Sequence, residues 1–237
     1  MKKNIKNIQL TKILLASLVI SVSLVLFQIN SVYLDKKFKM PIIYSNYWNF
    51  WHLPLIFLCL FFSLKDTLFF LFVYMILDIS LYSWPKYAMS IPYMLDKSGG
   101  ATKTTAFLVF YGNFIPVLAY IFIAIFMDLR KNNFKKIIMC FILIVLVQSI
   151  SRGLSGYLYW YNDIIKTLQK NNYTKLLNWL QDTPKMQFMT IWVLNLIPVL
   201  TSNITNFIVF FIIKKRVIKT YDLYSENYSF KQNISKS

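Results

Sequence analysis

The segment SRGLSGYLYWYND, residues 151–163, closes an apolar run with an arginine, a small-residue pair and four aromatic side chains. Arg152 can pair with an anionic group, and Trp160 can stack on a planar molecule. The structural alternatives are an arginine that reaches lipid headgroups and a belt of interfacial aromatic residues. The segment is therefore a candidate wall of a ligand pocket.

A second charge lies inside an apolar run, because Asp78 falls about twelve residues into the third run. Charges within a membrane are costly and usually face a cavity or a partner. Asp78 and Arg152 are therefore candidates to contact a ligand, or each other. Polar side chains concentrated on the last run are expected to point inward, to other helices or to a ligand. They are Asn195, Thr201, Ser202, Asn203, Thr205 and Asn206, with Asn113 near Pro116 in the same class.

The tryptophans are unevenly distributed along the chain. All six fall near the predicted outer ends of apolar runs or in the adjacent loops. An aromatic belt would occupy both interfaces, so the asymmetry favours a stacking pocket at the outer face. Trp51, Trp84 and Tyr157 join the candidate ligand-binding residues on this ground.

Long charge-free runs indicate the elements that must position these side chains. The chain is 57% hydrophobic, with mean hydropathy +0.50. A helix needs about 20 apolar residues to cross the hydrocarbon core of a bilayer. We predict an all-α integral membrane protein, a single domain over 1–219 with a polar tail over 220–237. Its six predicted transmembrane helices are roughly 9–30, 48–64, 67–84, 104–128, 135–157 and 186–213.

Basic residues flank these runs and give the chain a net charge of +17. The densest clusters, 128–136 and 214–219, share one side with the N-terminal lysines, which is the positive-inside pattern. Both termini are then cytoplasmic, in a multi-pass protein of the cell membrane whose charge suits anionic lipid and not nucleic acid. No small-residue cleavage site follows the first run, so we expect it to be retained as a helix.

The sequence contains few of the residue types that catalysis and metal binding require. Cys59 and Cys140 fall inside predicted helices, and His52 is the only histidine. We therefore predict no disulfide framework, no metal, no cofactor and no histidine-based triad. The chain is expected not to be an enzyme.

Small residues follow one face of the first predicted helix. Ala16, Ser17 and Ser21 are spaced so that another helix could approach closely. That helix belongs either to this chain or to another membrane subunit, and docking of a separate subunit is the sharper hypothesis.

The whole pattern resembles the substrate-binding S components of energy-coupling factor (ECF) vitamin transporters, most closely the thiamine-binding S component. That family carries His-x-x-(Ser/Ala)-Gly-x-x-x-Trp at the end of its fifth helix, and RGLSGYLYW is similar to it. The resemblance implies that Trp160 stacks on the vitamin, that Ser155 and Gly156 are the small pair, and that Arg152 replaces the histidine. In the sixth helix, TIWVLN places Asn195 on a ligand-contacting asparagine and Thr190 on a tyrosine.

The chain also departs from the family pattern. The family's Glu-Tyr pair, whose glutamate faces the thiazolium cation, falls on Phe110 and Tyr111. The cation then lacks its partner unless Asp78 substitutes. An arginine in place of histidine could instead suit an anionic vitamin such as folate, biotin or pantothenate.

The resemblance implies a non-enzymatic binding subunit for a thiamine-like vitamin. Such a subunit docks through its first helix to a transmembrane coupling protein that works with two cytosolic ATPases. The rival functions are a membrane-embedded enzyme and a solitary secondary carrier. An enzyme needs clustered acidic, histidine or Ser/Lys groups at one depth. A carrier favours internal repeats and broken helices with ion-site carboxylates.

Overall fold

Helices account for all the regular structure in the described part of the chain. In this computed structural model the description covers residues 2–34, 40–43, 45–83, 107–128 and 133–226. The α-helices are α1 (Lys2–Ile29), α2 (Leu53–Phe61), α3 (Leu64–Asp78), α4 (Ile115–Leu118), α5 (Ile121–Phe126), α6 (Phe134–Tyr159), α7 (Tyr161–Lys170), α8 (Thr174–Asp182) and α9 (Gln187–Glu226). Short π-helical turns follow α1 and α3 and precede α4, at Asn30–Leu34, Ile79–Ser83 and Phe110–Phe114.

Within the described residues, four helical segments are long and apolar enough to cross a membrane. They are Gln9–Tyr33, Phe107–Phe126, Phe134–Tyr159 and Pro184–Lys219. These segments correspond to the first, fourth, fifth and sixth predicted spans. The predicted all-α class is therefore confirmed across the described residues, whereas six spans and the side on which the termini lie are not.

The second predicted span is a short central helix. With its preceding 3₁₀ turn it covers Phe50–Phe61, about 18 Å of helix, whereas the hydrocarbon core is about 30 Å thick. Pro54 occupies the first turn of α2, where its missing N–H costs nothing. Every residue over 55–62 is buried, so α2 is the core around which the longer helices pack.

The third predicted span forms α3 and the π turn that follows it. Ser63 caps α3 by accepting a hydrogen bond from the Asp66 N–H, and the Lys12 ammonium pairs with the Asp66 carboxylate at 2.8 Å. The tight connection between α2 and α3 therefore lies beside the first half of α1. Asp78 is 5% exposed at the other end of α3, so its carboxylate is buried as the sequence suggested.

The small-residue stripe of α1 is divided between two environments. Ala16 is only 1% exposed and belongs to the main hydrophobic core, whereas Ser17 and Ser21 face outward. Packing within this chain therefore explains why a small residue stands at position 16. Because Ala16 is buried, it is not available for docking to another subunit. Ser23, also buried, donates a hydrogen bond to the Trp51 carbonyl.

The longest helix, α9, runs antiparallel to α6 and continues through Pro198 as far as Glu226. The first residues of the predicted polar tail are thus helical. Gly153 and Gly156 of α6 face Trp192, Ile191 and Asn195 of α9. Their missing side chains allow these two helices to approach closely at the end where the candidate site lies.

Candidate functional site

A cavity of about 300 Å³ opens at one end of the helical bundle. Phe27 and Asn30 at the end of α1 contribute to its wall, together with several residues over 42–43 and 45–51, the C-terminal part of α6 and the first turn of α7. Its volume is in the range of small-molecule sites. Lys12 lies fifteen residues before Phe27, about 22 Å of helix away, so the N-terminal half of α1 is remote from this cavity.

Five of the predicted ligand-binding residues line this one cavity. They are Trp51, Asn113, Arg152, Trp160 and Asn195. Ser155 and Gly156, the small pair in the resemblance, lie on the same wall. Residues from four separate segments of the chain are thus brought together by the fold.

The remaining predicted residues lie elsewhere. Tyr111 is not on the cavity wall, although its neighbours Gly112 and Asn113 are. Asp78 lies behind Asn113, whose Nδ2 donates to its carboxylate at 3.4 Å. Tyr157 is 36% exposed and packs edge-on against Tyr161 and Phe188. Trp84 lies outside the described residues.

A π-helical turn explains how Asn113 reaches the wall. The turn Phe110–Phe114 ends two residues before Pro116, which has no N–H to donate. A π turn inserts one residue into a helix and redirects the side chains around it. The Ser151 hydroxyl donates to the Tyr111 carbonyl at 2.6 Å, and Gln148 donates to the Pro116 carbonyl at 2.8 Å. These bonds fix the irregular turn against α6.

Trp160 occupies the break between α6 and α7. Its backbone leaves the helical region at φ −105° and ψ 1°, while its N–H still bonds the Gly156 carbonyl at 3.1 Å. Ile164 N–H bonds the Trp160 carbonyl at 2.9 Å and starts the next helix. The indole is therefore held at a fixed corner of the cavity by the two helices that meet there.

The residues just before α2 form the floor of the cavity and are held by α9. The Asn49 N–H donates to Ser202 Oγ at 3.0 Å, and the Asn49 carbonyl accepts from Asn206 Nδ2 at 3.1 Å. The Thr201 hydroxyl donates to the Tyr47 carbonyl at 3.0 Å. Most of the polar side chains that the sequence placed inward on the last helix therefore bind backbone, and Asn195 is the one among them that lines the cavity.

A buried polar network lies deeper in the bundle. The Tyr120 hydroxyl lies 3.1 Å from His52 Nδ1 and donates to Asn203 Oδ1 at 3.4 Å, while Asn203 Nδ2 donates to Gln148 Oε1 at 2.7 Å. Arg152 is close enough for its charge to act on His52 and Tyr120. The network joins the residue before α2, the residue before α5, and the helices α6 and α9, and it fixes their register.

Comparisons with protein-family models, with curated proteins and with solved structures find no match to this chain. The function is therefore inferred from the site.

Two amphipathic helices cover one side of the cavity. A second hydrophobic cluster joins Ile164 and Leu168 of α7, Leu180 of α8 and Ile191 of α9, with Ile42 and Ile43 packed against it. Leu176 and Leu177 also pack on this cluster. Trp179 is half exposed, and its indole donates to Thr190 Oγ1 at 3.1 Å.

Sequence reasoning missed several polar residues of the wall, and Asp163 and Asn46 are two of them. Asp163 follows Trp160 by three residues, a spacing that puts both on one face where a helix begins. This spacing is the sequence feature that could have predicted Asp163 as a wall residue. Nothing in the sequence around Asn46 predicts its position, because its neighbours Tyr47 and Asn49 are held by hydrogen bonds to α9, which follows about 150 residues later. Among the described residues, no three His, Cys, Asp or Glu side chains are grouped to hold a metal ion.

Proposed function

We propose that this chain is the substrate-binding membrane subunit of an ECF-type vitamin uptake transporter, taking thiamine or a thiamine-related compound. One observation carries the proposal. Arg152, Ser155, Gly156 and Trp160 of the segment 152–160, together with Asn195 of the last helix, line the same cavity at one end of an apolar helical bundle. The subunit binds its ligand without ATP, because the cavity is built from this chain alone.

Charge at the two ends of the bundle supports an outward-facing cavity. Lys12, Lys136 and the cluster 214–219 belong to the end remote from the cavity. By the positive-inside rule that end is cytoplasmic, together with both termini. A coupling protein and two cytosolic ATPases would then act on a binding subunit whose cavity faces the outside.

Calorimetry on the detergent-solubilised chain tests the proposal. The panel is thiamine, its pyrimidine precursor, riboflavin, folate, biotin and pantothenate, in the absence of ATP. We expect one compound, thiamine or the precursor, to bind far more tightly than millimolar. Binding no tighter than millimolar across the panel would exclude a vitamin-binding subunit. Tight binding of an anionic vitamin would still support a vitamin-binding subunit, and it would indicate that Arg152 pairs with the carboxylate of the vitamin.

Two further measurements separate the rival functions. Mass spectrometry of the bound compound after release should return it unchanged, whereas a chemically altered product would indicate a membrane-embedded enzyme. Liposomes that contain this chain alone should show no uptake, and uptake should require the coupling protein, the ATPases and ATP. Uptake by the chain alone would indicate a solitary carrier.

A further inference from the structure

The π-helical turn Phe110–Phe114 leaves a backbone carbonyl that its own helix cannot satisfy. The Ile115 N–H bonds the Phe110 carbonyl, five residues back, as a π turn requires. The next bond in this series would join the N–H of residue 116 to the Tyr111 carbonyl. Residue 116 is proline, which has no N–H. The Tyr111 carbonyl therefore needs a donor from outside its helix.

Two side chains of α6 donate to carbonyls of this span. The Ser151 hydroxyl donates to the Tyr111 carbonyl at 2.6 Å, and so replaces the N–H that proline lacks. Three residues earlier on α6, Gln148 Nε2 donates to the Pro116 carbonyl at 2.8 Å. Both side chains are buried. The π turn and the residue that interrupts its bonding are thus both held by one face of α6.

An α-helical register would not need Ser151. In a continuous α-helix the Ile115 N–H would bond the Tyr111 carbonyl, four residues back. The carbonyl left without a donor by the proline would then be that of Gly112. Ser151 therefore favours the π register, because its hydroxyl satisfies the carbonyl that only the π register leaves without a donor.

The register decides which residues of this span line the cavity. A helix turns by about 100° per residue, and a π turn holds one extra residue, so the residues before it are rotated by about that angle. Gly112 and Asn113 lie within the turn and line the cavity. In the α register both would turn away from their present positions on the wall.

We propose that Ser151 is a positioning residue of the ligand cavity, which acts by holding the span Phe107–Phe126 in the register that places Gly112 and Asn113 on the wall. Ser151 does not itself line the cavity, although its neighbour Arg152 does. The inference rests on the proposed function for the role of the cavity. It adds a residue that controls recognition through the backbone of another helix.

Cysteine labelling tests the register without any ligand. Leu108 is 1% exposed and Phe110 is 44% exposed, whereas their predecessors Phe107 and Val109 show the opposite pattern. Loss of the extra residue would move each residue before the turn into the place now held by its predecessor, because Gln148 fixes the part that follows. Position 108 should then become exposed and position 110 buried.

The labelling uses the full chain in detergent, with Cys59 and Cys140 replaced by alanine. When Ser151 is changed to alanine, Leu108→Cys should react with a maleimide at least fivefold faster, and Phe110→Cys should react more slowly. Ser151→Thr keeps a hydroxyl and should leave both rates unchanged. Unchanged rates at both positions in Ser151→Ala would overturn the inference.

Ser149→Ala is the matched control for Ser151→Ala. Ser149 is also a buried serine of α6, but its hydroxyl donates to the Leu146 carbonyl of its own helix at 3.1 Å. It should leave the labelling of Leu108→Cys unchanged. The same change of labelling in both serine variants would overturn a specific role for Ser151.

Calorimetry with thiamine tests the consequence for binding. Ser151→Ala should weaken binding about five- to tenfold, the scale of one displaced hydrogen bond, and Ser151→Thr should retain most of the affinity. In an Asn113→Ala background, Ser151→Ala should have little further effect, because the residue that the register positions is already absent. Equal losses with and without Asn113 would overturn the positioning role.

Pro116→Ala keeps the inference testable if Ser151→Ala folds poorly. Alanine restores an N–H at position 116, so the double variant should melt at a higher temperature than Ser151→Ala. No recovery would show that Ser151 does not replace the missing donor, and would overturn the inference. If no vitamin binds the unaltered chain, the proposed function fails, and labelling and this rescue decide the register independently.

Discussion

A Cβ atom on Gly156 would lie 3.0 Å from Asn195 Nδ2 and 2.9 Å from Cγ2 of Ile191. The two helices α6 and α9 therefore meet at this point with no room for a methyl group. Asn195 is held there by its own hydrogen bond to the Ile191 carbonyl at 2.9 Å. The amide that lines the cavity is thus positioned by the absence of a side chain on the opposing helix.

The substitution Gly156→Ala should move Asn195 and weaken ligand binding. Forcing a methyl group into a closely packed contact costs about 1–3 kcal/mol. We expect the affinity for the best-binding vitamin of the panel to fall about five- to tenfold, the scale of one displaced hydrogen bond. Calorimetry and thermal unfolding of the purified protein measure the two effects.

Gly153→Ala is the matched control for that substitution. Its Cβ would meet Trp192 at 3.1 Å, against the same helix but outside the cavity wall. The melting temperature should fall while affinity changes less than for Gly156→Ala. Equal losses of affinity in the two variants would show that general separation of α6 from α9, and not the position of Asn195, controls binding.

Replacing Trp160 by alanine should weaken binding by about 1–3 kcal/mol, from lost stacking and lost apolar contact. Trp160→Phe should recover part of this loss. Trp179→Ala, at a half-exposed tryptophan outside the cavity, should leave affinity unchanged. Unchanged affinity in Trp160→Ala, with a lower melting temperature only, would assign this indole to the membrane interface.

Removal of the Asp78 carboxylate should affect stability more than recognition. Asp78→Ala removes the carboxylate that accepts from the Asn113 amide at 3.4 Å, and one side-chain hydrogen bond contributes about 0.5–1.5 kcal/mol. The melting temperature should fall, while affinity should fall less than in Trp160→Ala. A larger affinity loss in Asp78→Ala than in Trp160→Ala would return the role of ligand partner to Asp78.

Leucine substitutions on α1 separate folding from docking. Ala16→Leu places a large side chain in the core, where overpacking costs about 1–3 kcal/mol, so both melting temperature and uptake should fall. Ser17→Leu lies on the outward face and should leave melting temperature and ligand affinity intact. In cells that also express the coupling protein and the ATPases, uptake should be lost in Ser17→Leu if this face docks to them. Normal uptake in that variant would place the docking surface elsewhere.

The apolar pattern of the sequence was sufficient to predict the long helices, because a charge-free run of membrane length has few other stable conformations. The same pattern was not sufficient to predict the length of α2. The run around residues 48–64 contains Pro54, which sits in the first helical turn and leaves a central helix too short to span. A proline is compatible with the start of a helix and with a kink inside one, so the pattern did not decide between them.

For the site, local resemblance found residues near helix ends and missed those that depend on distant contacts. Arg152, Trp160 and Asn195 line the cavity, whereas Asp78 contacts Asn113 and does not line the cavity. Asn46 and Asn49 reach the floor because α9 binds the adjacent backbone. No periodicity within the loop carries that information.

The hydrogen bond between Asn49 and Asn206 joins residues that are 157 positions apart in the sequence. In the cell it can form only after both residues have been synthesised. At the usual speed of translation, 5–20 residues per second, Asn206 leaves the ribosome roughly 8–30 s after Asn49. During this interval the residues just before α2, which form the floor of the cavity, lack their hydrogen bonds to α9. A nascent chain, or one truncated before Asn206, therefore lacks the contacts that hold the floor of the cavity, and we expect ligand binding to begin only after the last helix has packed.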